Sequence, residues 1–356
     1  MKTWMKGAAL AALMVPAMAM AEEAKGPTCF DIRYSLDFLN AYPQAPSICE
    51  EVKVVDGVKY AKMDATVVKK HEGVVTVAFK DVFGNKLLNL SVEASQAALQ
   101  RSGITPDQVG MVVFASTTGF ATPSLDSKLI ECLGLRRNTP SIPVWGLGCA
   151  AGVAGMARAS ELARTLQGRY LLFVAVELCS LTFQLGDLSK ANLVGASLFA
   201  DGAAAVLLGE EADGPEILGA HSHLFHDSED IMGWDFTQSG MKIKLSRDLP
   251  SFVKARLPEV LAAARTAWGV NGAEIVHYAV HPGGAKVLQA LAEMLSLEDR
   301  ALEPSYHVLH NYGNMSSPSV LFALNRVIET RPRQSALGLM LAFGPGFSAE
   351  QLLFRW

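Results

Sequence analysis

From Leu87 onward, the chain alternates between segments with helical spacing of apolar positions and short, continuously apolar runs. Residues 111–115, 170–176 and 275–280 have the continuous apolar character of strands that are buried on both faces. Residues 252–268 have the amphipathic spacing of a helix that packs on such a sheet. Strands that alternate with helices predict an α/β fold with a mainly buried sheet.

The same patterns predict the remaining elements of this region. The further helices are expected at residues 91–102, 125–133, 150–166, 285–295 and 317–329, and the further strands at residues 141–145, 203–208, 337–343 and 351–356.

Residues 22–86 have a different character, with short alternating runs separated by turn signals. Asp56-Gly57 lies between two strand-like runs in residues 51–60 and predicts a hairpin, and residues 74–79 predict another strand. Cys29 and Cys49 could form one disulfide bond in an exported segment, or both thiols could be free.

The first 21 residues match the pattern of a secretory signal peptide. Lys2 and Lys6 precede an apolar run, and Ala19-Met20-Ala21 then provides a site of the small-x-small type that signal peptidases cleave. The alternative is an amphipathic or buried N-terminal helix. The order of charge, apolar run and cleavage site favours the signal peptide, and the run is too short for a comfortable membrane span.

The composition excludes several classes of protein. With 356 residues, 50% of them hydrophobic, and a formal net charge of -4, the chain has material for a large core and no sign of binding nucleic acid or an anionic membrane surface. None of the five cysteines lies in a C-x-x-C pair, and no histidine has zinc-site spacing, so no metal site is predicted. His221, His223 and His226 are predicted to lie in a polar loop.

Cys149 is the cysteine with the strongest chemical context. It follows a strand and a Gly146-Leu147-Gly148 turn, and it opens a helix that is rich in small residues. The free N–H groups of a helix N-terminus stabilise a thiolate, which favours a nucleophile. The alternative is a structural thiol that packs as a small apolar side chain.

His281 and Asn314 are the other candidates for chemistry. His281 ends a strand before Pro282-Gly283-Gly284, at the edge where α/β proteins bind ligands. Asn314 precedes a helix and could donate its amide to a developing oxyanion, or it could simply cap the helix. Neither residue is specific by itself.

Together, three segments resemble the catalytic segments of type III polyketide synthases of the chalcone synthase family. They are residues 146–152 (GLGCAAG), 281–284 (HPGG) and 313–318 (GNMSSP). Residues 116–126 resemble an active-site and dimer-contact loop of the bacterial members, and residues 177–184 resemble a gatekeeper segment. The resemblance extends over residues 87–356. It implies a thiolase-like α/β fold, in which two βαβαβ half-domains form five layers.

The resemblance implies a catalytic triad of Cys149, His281 and Asn314 in an acyltransferase. Cys149 would carry an acyl group from an acyl-CoA starter, His281 would pair with its thiolate, and His281 with Asn314 would stabilise the enolate formed when malonyl-CoA loses carbon dioxide. Cyclisation would then give an alkylpyrone or a phenolic product. The residues expected to bind substrate are Phe183 as the gatekeeper, Thr117, Thr118, Ser316, Gly344, Pro345 and Gly346.

No metal and no redox cofactor are expected, and the implied partners are acyl-CoA, malonyl-CoA and a second copy in a homodimer. The domains expected are a signal peptide at residues 1–21, an unassigned segment at 22–86, a first half at 87–210 with the nucleophile and a second half at 211–356 with His281 and Asn314. Residues 1–86 lack the basic start of the family, so the first half is expected to be incomplete and the N-terminal segment foreign to the enzyme.

Two alternatives share part of this evidence. A β-ketoacyl-ACP synthase III would have the same fold and triad, but residues 313–318 and the Gly344-Pro345-Gly346 loop favour the polyketide synthase. A catalytically impaired synthase fragment is the second alternative, since the coenzyme A-binding start is missing. A papain-like protease is disfavoured by the sequence around Cys149. The coenzyme A substrates predict a cytoplasmic protein, whereas the signal pattern alone predicts export to the periplasm.

Overall fold

The computed structural model describes five strands before residue 79 and, from residue 82 to the C-terminus, all residues except 183, 185–186, 211–213, 238–239, 299, 331 and 334. Side chains are described from Lys86 onward. The strands are β1 (Ala8–Ala11), β2 (Val52–Val55), β3 (Val58–Ala61), β4 (Thr66–His71), β5 (Val74–Ala78), β6 (Val109–Ala115), β7 (Ser141–Val144), β8 (Tyr170–Leu178), β9 (Asp201–Leu208), β10 (Glu216–Leu224), β11 (Met232–Thr237), β12 (Gly240–Leu245), β13 (Ile275–Val280), β14 (Leu337–Gly344) and β15 (Ser348–Arg355). The α-helices are α1 (Val82–Ser102), α2 (Leu125–Cys132), α3 (Ala151–Ala163), α4 (Lys190–Leu198), α5 (Leu249–Trp268), α6 (Ala285–Leu295), α7 (Glu303–Tyr312) and α8 (Ser317–Glu329).

Two mixed sheets form the centre of the molecule and repeat one topology. The first has the order β1-β9-β8-β6-β7, and the second has the order β10-β15-β14-β13. In each sheet the outermost strand pairs antiparallel with the next, that strand pairs antiparallel with the third, and the third pairs parallel with the fourth. The two halves are therefore equivalent in their pairing, although the sequence contains no visible internal repeat.

Three hydrophobic clusters join the sheets and helices into five layers. Helices α1 and α2 cover the outer face of the first sheet, α3 and α8 lie between the two sheets, and α5 and α6 cover the outer face of the second sheet. Strands β8 and β9 are buried along almost their whole length, as their continuous apolar sequences require. This confirms the thiolase-like, five-layered α/β fold that the sequence predicts.

The small residues of α3 allow the closest packing in the middle layer. A Cβ atom on Gly152 would overlap the Ser317 carbonyl oxygen, and one on Gly155 would lie 2.6 Å from the Phe173 ring. Glycine at these two positions therefore lets α3 approach α8 on one side and the first sheet on the other. This approach brings the start of α3, where Cys149 lies, next to the start of α8, where Asn314 lies.

The N-terminal region contributes one strand to the first sheet. Ala8–Ala11, inside the predicted signal peptide, pairs antiparallel with β9 at the edge of the sheet. This strand has four residues, whereas β10, its counterpart in the second sheet, has nine. The hairpins β2-β3 and β4-β5 pair only within themselves among the described strands. Each strand of the second sheet thus has a counterpart in the first sheet, but the edge strand β1 is shorter than its counterpart β10. Cys29 and Cys49 lie outside the described residues.

Several elements differ from the sequence expectations. Helix α1 begins at Val82, nine residues earlier than predicted, because Leu87, Leu88 and Leu90 extend its buried face. The sequence does not predict β10, β11, β12, α4 and α7, because the spacing of apolar positions in these segments is weak or mixed. The loop predicted around His221 and His223 is wrong: both residues lie on β10, where they pair with β15. Polar side chains on this edge strand are half-buried, so its apolar and polar residues do not alternate in the way that identifies a strand.

Candidate active site

Cys149 lies in a tight 3-10 turn, Gly148–Ala150, that joins the end of β7 to α3. Gly148 has a φ of +50°, and a Cβ atom there would lie 2.8 Å from Pro345 Cδ. A Cβ atom on Gly344 would lie 2.5 Å from the Leu147 carbonyl oxygen. The loop of Gly344 and Pro345 therefore rests directly on the turn that holds Cys149, and only glycines at these positions permit the contact.

The Cys149 thiol is buried and forms a hydrogen bond with a residue of the second half of the molecule. Its Sγ lies 3.4 Å from Ser316 Oγ. Burial raises the pKa of Cys149 to about 11, hydrogen bonding from Ser316 and Asn314 opposes this rise, and the charge of Glu177 adds to it. The sequence predicts a stabilised thiolate, but the resting group is a neutral thiol because burial outweighs the donors.

His281 is the first residue after β13, and its backbone N–H donates to the Leu341 carbonyl oxygen at 2.8 Å. The side chain is buried, and burial lowers the pKa of His281 to about 3, so the ring is neutral. Both ring nitrogens are buried without a hydrogen-bond partner. No hydrogen bond joins His281 to Cys149 in the described structure, and the thiol is paired with Ser316 instead.

Asn314 is held at the start of α8 by its backbone and by its side-chain oxygen. Its N–H donates to the Leu198 carbonyl oxygen at 2.9 Å, and its own carbonyl oxygen accepts from Ala200 N at 2.9 Å. Its side-chain Oδ1 accepts from Ser316 N at 2.8 Å. With the oxygen occupied in this way, the amide NH₂ is the end of the side chain left to face a ligand, and it contributes a hydrogen bond to Cys149.

Glu177 is a buried carboxylate that the sequence analysis did not single out. It accepts from Thr117 N at 3.0 Å, Thr118 N at 2.9 Å, Thr118 Oγ1 at 2.5 Å and Ser317 Oγ at 3.3 Å. Burial raises the pKa of Glu177, and these four donors oppose the rise. A single carboxylate in the otherwise apolar strand β8 is the signal that could have identified it.

The expected substrate-binding threonines are part of this network. Thr117 Oγ1 also accepts from Gly148 N at 3.1 Å, and Thr118 Oγ1 accepts from Leu178 N at 2.9 Å. Thr117 and Thr118 both line the cavity above Cys149. Their hydrogen bonds connect the nucleophile turn to Glu177, so their evident task is to hold the turn in place.

Two cavities lie beside Cys149. A small cavity of about 30 Å³ contains Cys149, Thr117, Thr118, Ser316 and Pro345 in its lining. A larger cavity of about 280 Å³ is lined by residues of α4, the β11-β12 hairpin and the segment after β8. Four residues line both cavities: Cys179, Phe199, Trp234 and Ile243.

Phe199 is one of two aromatic side chains, with Trp234, that line both cavities. Its backbone forms an isolated bridge with Asn314, so its position is fixed relative to the candidate triad. The expected gatekeeper, Phe183, lies outside the described residues. Phe199 was missed because it stands at the end of α4, a helix without a clear periodic pattern in the sequence.

In the described part of the chain, no three His, Cys, Asp or Glu side chains are grouped to hold a metal ion. None of the described helices is long and apolar enough to cross a membrane.

Comparisons with known proteins agree with this geometry. Models of the N-terminal and C-terminal domains of chalcone and stilbene synthases match residues 46–212 and 216–356. The N-terminal match begins at residue 46, before the boundary at residue 87 that the sequence analysis set. The chain is 41% identical over 266 residues to a protein designated a chalcone synthase in Bacillus subtilis (strain 168), covering 72% of this chain and 73% of that protein.

Further relatives extend the match to other products and to solved structures. A 1,3,6,8-tetrahydroxynaphthalene synthase of Streptomyces peucetius subsp. caesius is 39% identical over 276 residues, which cover 76% of this chain and 73% of the relative. The crystal structure of PKS-I from the brown alga Ectocarpus siliculosus superposes with a TM-score of 0.73 at 29% identity, covering 77% of this chain and 76% of that chain. The chain belongs to the chalcone and stilbene synthase family, and it is a type III polyketide synthase, an acyltransferase with the thiolase-like fold.

Proposed function

We propose that the protein condenses an acyl-CoA starter with malonyl-CoA through an acyl thioester on Cys149, and then cyclises the chain to a pyrone or a phenolic ring. The observation that carries this proposal is that a buried thiol, an unpartnered neutral imidazole and an oriented amide lie on elements of the two halves that pack against one another. The turn of Cys149 packs against α8 and β14, and α8 packs against β13, at whose end His281 lies.

In the loading step, the Cys149 sulfur attacks the thioester carbonyl of the starter. The neutral His281 ring has one acceptor nitrogen, so it can take the thiol proton as the new carbon–sulfur bond forms. The bond to coenzyme A breaks, and the departing sulfur takes the proton back. Because neither group is charged at rest, the buried pocket does not need to hold an ion pair before substrate binds.

In the extension step, malonyl-CoA loses carbon dioxide, and the electron pair of the broken bond becomes an enolate on the thioester. His281 and the free NH₂ of Asn314 donate hydrogen bonds to that oxygen as its negative charge develops. The carbanion attacks the acyl group on Cys149, a carbon–carbon bond forms, and the sulfur leaves as a thiolate. His281 is suited to this task because its buried ring nitrogens lack a partner in the resting enzyme, which is costly.

The cavity of about 280 Å³ suggests the size of the product that cyclises there. A cavity of this volume has room for a single pyrone or phenolic ring. An alkyl tail, as in the alkylpyrones and alkylresorcinols, would have to extend from the cavity through its open side.

A homodimer is part of the proposal. Strand β7 is the outer edge of the first sheet, and in the described structure no other strand pairs with its free side. Phe120, Trp145 and Phe236 form an exposed aromatic row beside it, with ring centroids 5.6 Å and 5.9 Å apart. An open strand edge next to exposed aromatic rings is the kind of surface that a second copy covers. The substrates further suggest a cytoplasmic protein that needs no metal or redox cofactor.

The experiment is a product assay on the purified chain with malonyl-CoA and acyl-CoA starters of several lengths. The expected result is carbon dioxide release together with products longer than the starter by whole ketide units, identified by mass. Cys149→Ala protein is the control and should form no extended product. Hydrolysis of malonyl-CoA without chain extension, or products that do not depend on Cys149, would contradict the proposal.

A further inference from the structure

The Cys149 thiol has a hydrogen-bond partner, and this partner is Ser316 rather than His281. Sγ of Cys149 lies 3.4 Å from Ser316 Oγ, and both side chains are buried. The two ring nitrogens of His281 have no partner. The second half of the molecule therefore contacts the sulfur through the hydroxyl of Ser316. This serine is not one of the three residues of the candidate triad.

The backbone holds this hydroxyl in place. Ser316 has a φ of +59° and a ψ of -130°, which is uncommon for a residue with a Cβ atom and persists only where the surroundings enforce it. Its N–H donates to Asn314 Oδ1 at 2.8 Å, and its carbonyl oxygen accepts from Ser319 N at 3.1 Å. The same residue thus orients the amide of Asn314 and presents its hydroxyl to Cys149.

We propose that the Ser316 hydroxyl stabilises the Cys149 thiolate and so sets the reactivity of the nucleophile. This inference deepens the proposed function, on which it rests, because it concerns the thiol that takes the acyl group. In the resting state the S–H donates to Ser316 Oγ. When the thiol loses its proton to a base, the hydroxyl can turn about its C–O bond and donate its own hydrogen to the sulfur.

Apart from the Asn314 amide, the other groups around the sulfur do not supply such a donor in the resting enzyme. Glu177 on β8 is negative when ionised and raises the pKa of Cys149. Cys179 lines the same cavity, and its pKa is raised well above the ordinary value, so it is a neutral thiol. His281 is neutral and is not bonded to Cys149.

Lys244 on β12 is the one basic side chain in the lining of the cavity above Cys149. It forms ion pairs with Asp235 at 3.0 Å and Asp230 at 3.5 Å, which compensate its charge. Ser316 and Asn314 both oppose the effect of burial on the pKa of Cys149. The Ser316 hydroxyl is the one of the two whose oxygen lies at 3.4 Å from the sulfur and can turn to donate to the thiolate.

The test measures the rate at which iodoacetamide alkylates Cys149, followed by mass spectrometry of its peptide, between pH 7 and pH 10. The variants are Ser316→Ala and Ser316→Gly. Loss of a hydrogen bond to a charged group is expected to raise the thiol pKa by about one unit. The pH profile should move upward by about one unit, and labelling at pH 8 should be roughly three to ten times slower, since the more basic thiolate is also somewhat more nucleophilic.

The two variants separate the hydroxyl from the backbone. Glycine adopts a φ of +59° without strain, whereas alanine does not, but both lack the hydroxyl. The proposal expects both variants to be slow. The control is Ser160→Ala on α3, which removes a buried hydroxyl bonded to the Ala157 carbonyl oxygen and should leave the labelling rate unchanged.

Wild-type labelling in both Ser316 variants would overturn the proposal, and so would a wild-type rate in Ser316→Gly alone, which would assign the effect to the backbone. The proposed function fails in a different way. If Cys149→Ala protein still extends the starter, Cys149 is not the nucleophile at all. If Cys149 is required and the Ser316 variants label normally, only the role of the hydroxyl is wrong.

Discussion

Cys149 and Cys179 are two buried thiols in similar local structure, and only one of them has the surroundings of a nucleophile. Each follows a strand of the first sheet, lies in a 3-10 turn and is 6% exposed. The Cys149 turn leads into the helix α3 and receives Ser316 and Asn314 from the second half. Burial raises the pKa of the Cys179 thiol, and its neighbours Glu177, Cys149 and Asp201 raise it further when they are ionised.

The difference shows that burial after a strand does not by itself make a reactive cysteine. Burial raises the pKa of both thiols, and what distinguishes Cys149 is the pair of hydrogen-bonding groups that the loop before α8 brings to it. The topology of the fold is therefore part of the proposed chemistry, because the candidate nucleophile comes from one half and the groups that hydrogen-bond to it come from the other. Cys179, in contrast, lines both cavities and belongs to their wall.

The largest expected effect is a complete contrast between the two cysteines. Cys149→Ala should abolish chain extension, since the acyl group has no sulfur to which it can bind. Cys179→Ala should retain extension within a few-fold of wild type and change mainly the distribution of products. The measurement is product formation by mass spectrometry under identical conditions. Equal loss of activity in both variants would remove the distinction between nucleophile and wall.

The second prediction concerns the Asn314 amide, one of the two groups that distinguish the surroundings of Cys149 from those of Cys179. Asn314→Ala should reduce malonyl-CoA decarboxylation on the order of a hundredfold or more, because one donor to the enolate oxygen is lost. Loading of the starter onto Cys149 should persist, at a reduced rate. Decarboxylation kinetics and acyl-enzyme mass together check this expectation. Normal decarboxylation by the variant would make Asn314 no more than the residue that leads into α8.

The sequence predicted the family and the fold around Cys149, because the strands there are continuous apolar runs and three segments resemble the family's catalytic segments. The catalytic roles of Cys149, His281 and Asn314 stay predictions. Glu177 and Phe199 were missed because their roles depend on contacts between distant segments: Glu177 receives donors from residues about 60 and 140 positions away. Likewise, nothing local in the sequence indicates that burial leaves the Cys149 thiol neutral rather than ionised.

The third prediction concerns a change that should lower the pKa of Cys149 rather than raise it. The Glu177 charge raises the pKa of Cys149, so Glu177→Gln should lower that pKa and speed alkylation of Cys149 several-fold at pH 8. Glutamine keeps one oxygen, which can accept either from Thr117 and Ser317 or from Thr118, and its NH₂ then faces the other donors, so the fold of the variant is checked by circular dichroism. The pH profile of labelling should move downward, opposite to the shift expected for Ser316→Ala. A slower or unchanged reaction in a folded Glu177→Gln protein would contradict this role of the carboxylate.

The smallest effect is expected from the wall of the larger cavity. A Cβ atom on Gly195 would lie 3.3 Å from Ile243 Cδ1 and 3.7 Å from Phe199 Cδ2, so Gly195→Val should fill part of the cavity of about 280 Å³. We expect a shift toward shorter or smaller products with little change in the rate at which Cys149 is alkylated. Product mass profiles check the first part, and iodoacetamide labelling checks the second. An unchanged product profile would place cyclisation elsewhere.

The most direct test of the central claim identifies the residue that carries the acyl group. The protein is mixed with an acyl-CoA starter without malonyl-CoA, digested at low pH and analysed by mass spectrometry. The account predicts that the acyl mass is found on the peptide of Cys149 and not on that of Cys179, and that it disappears when malonyl-CoA is added. An acyl group on Cys179, or one on Cys149 that persists in the presence of malonyl-CoA, would contradict it.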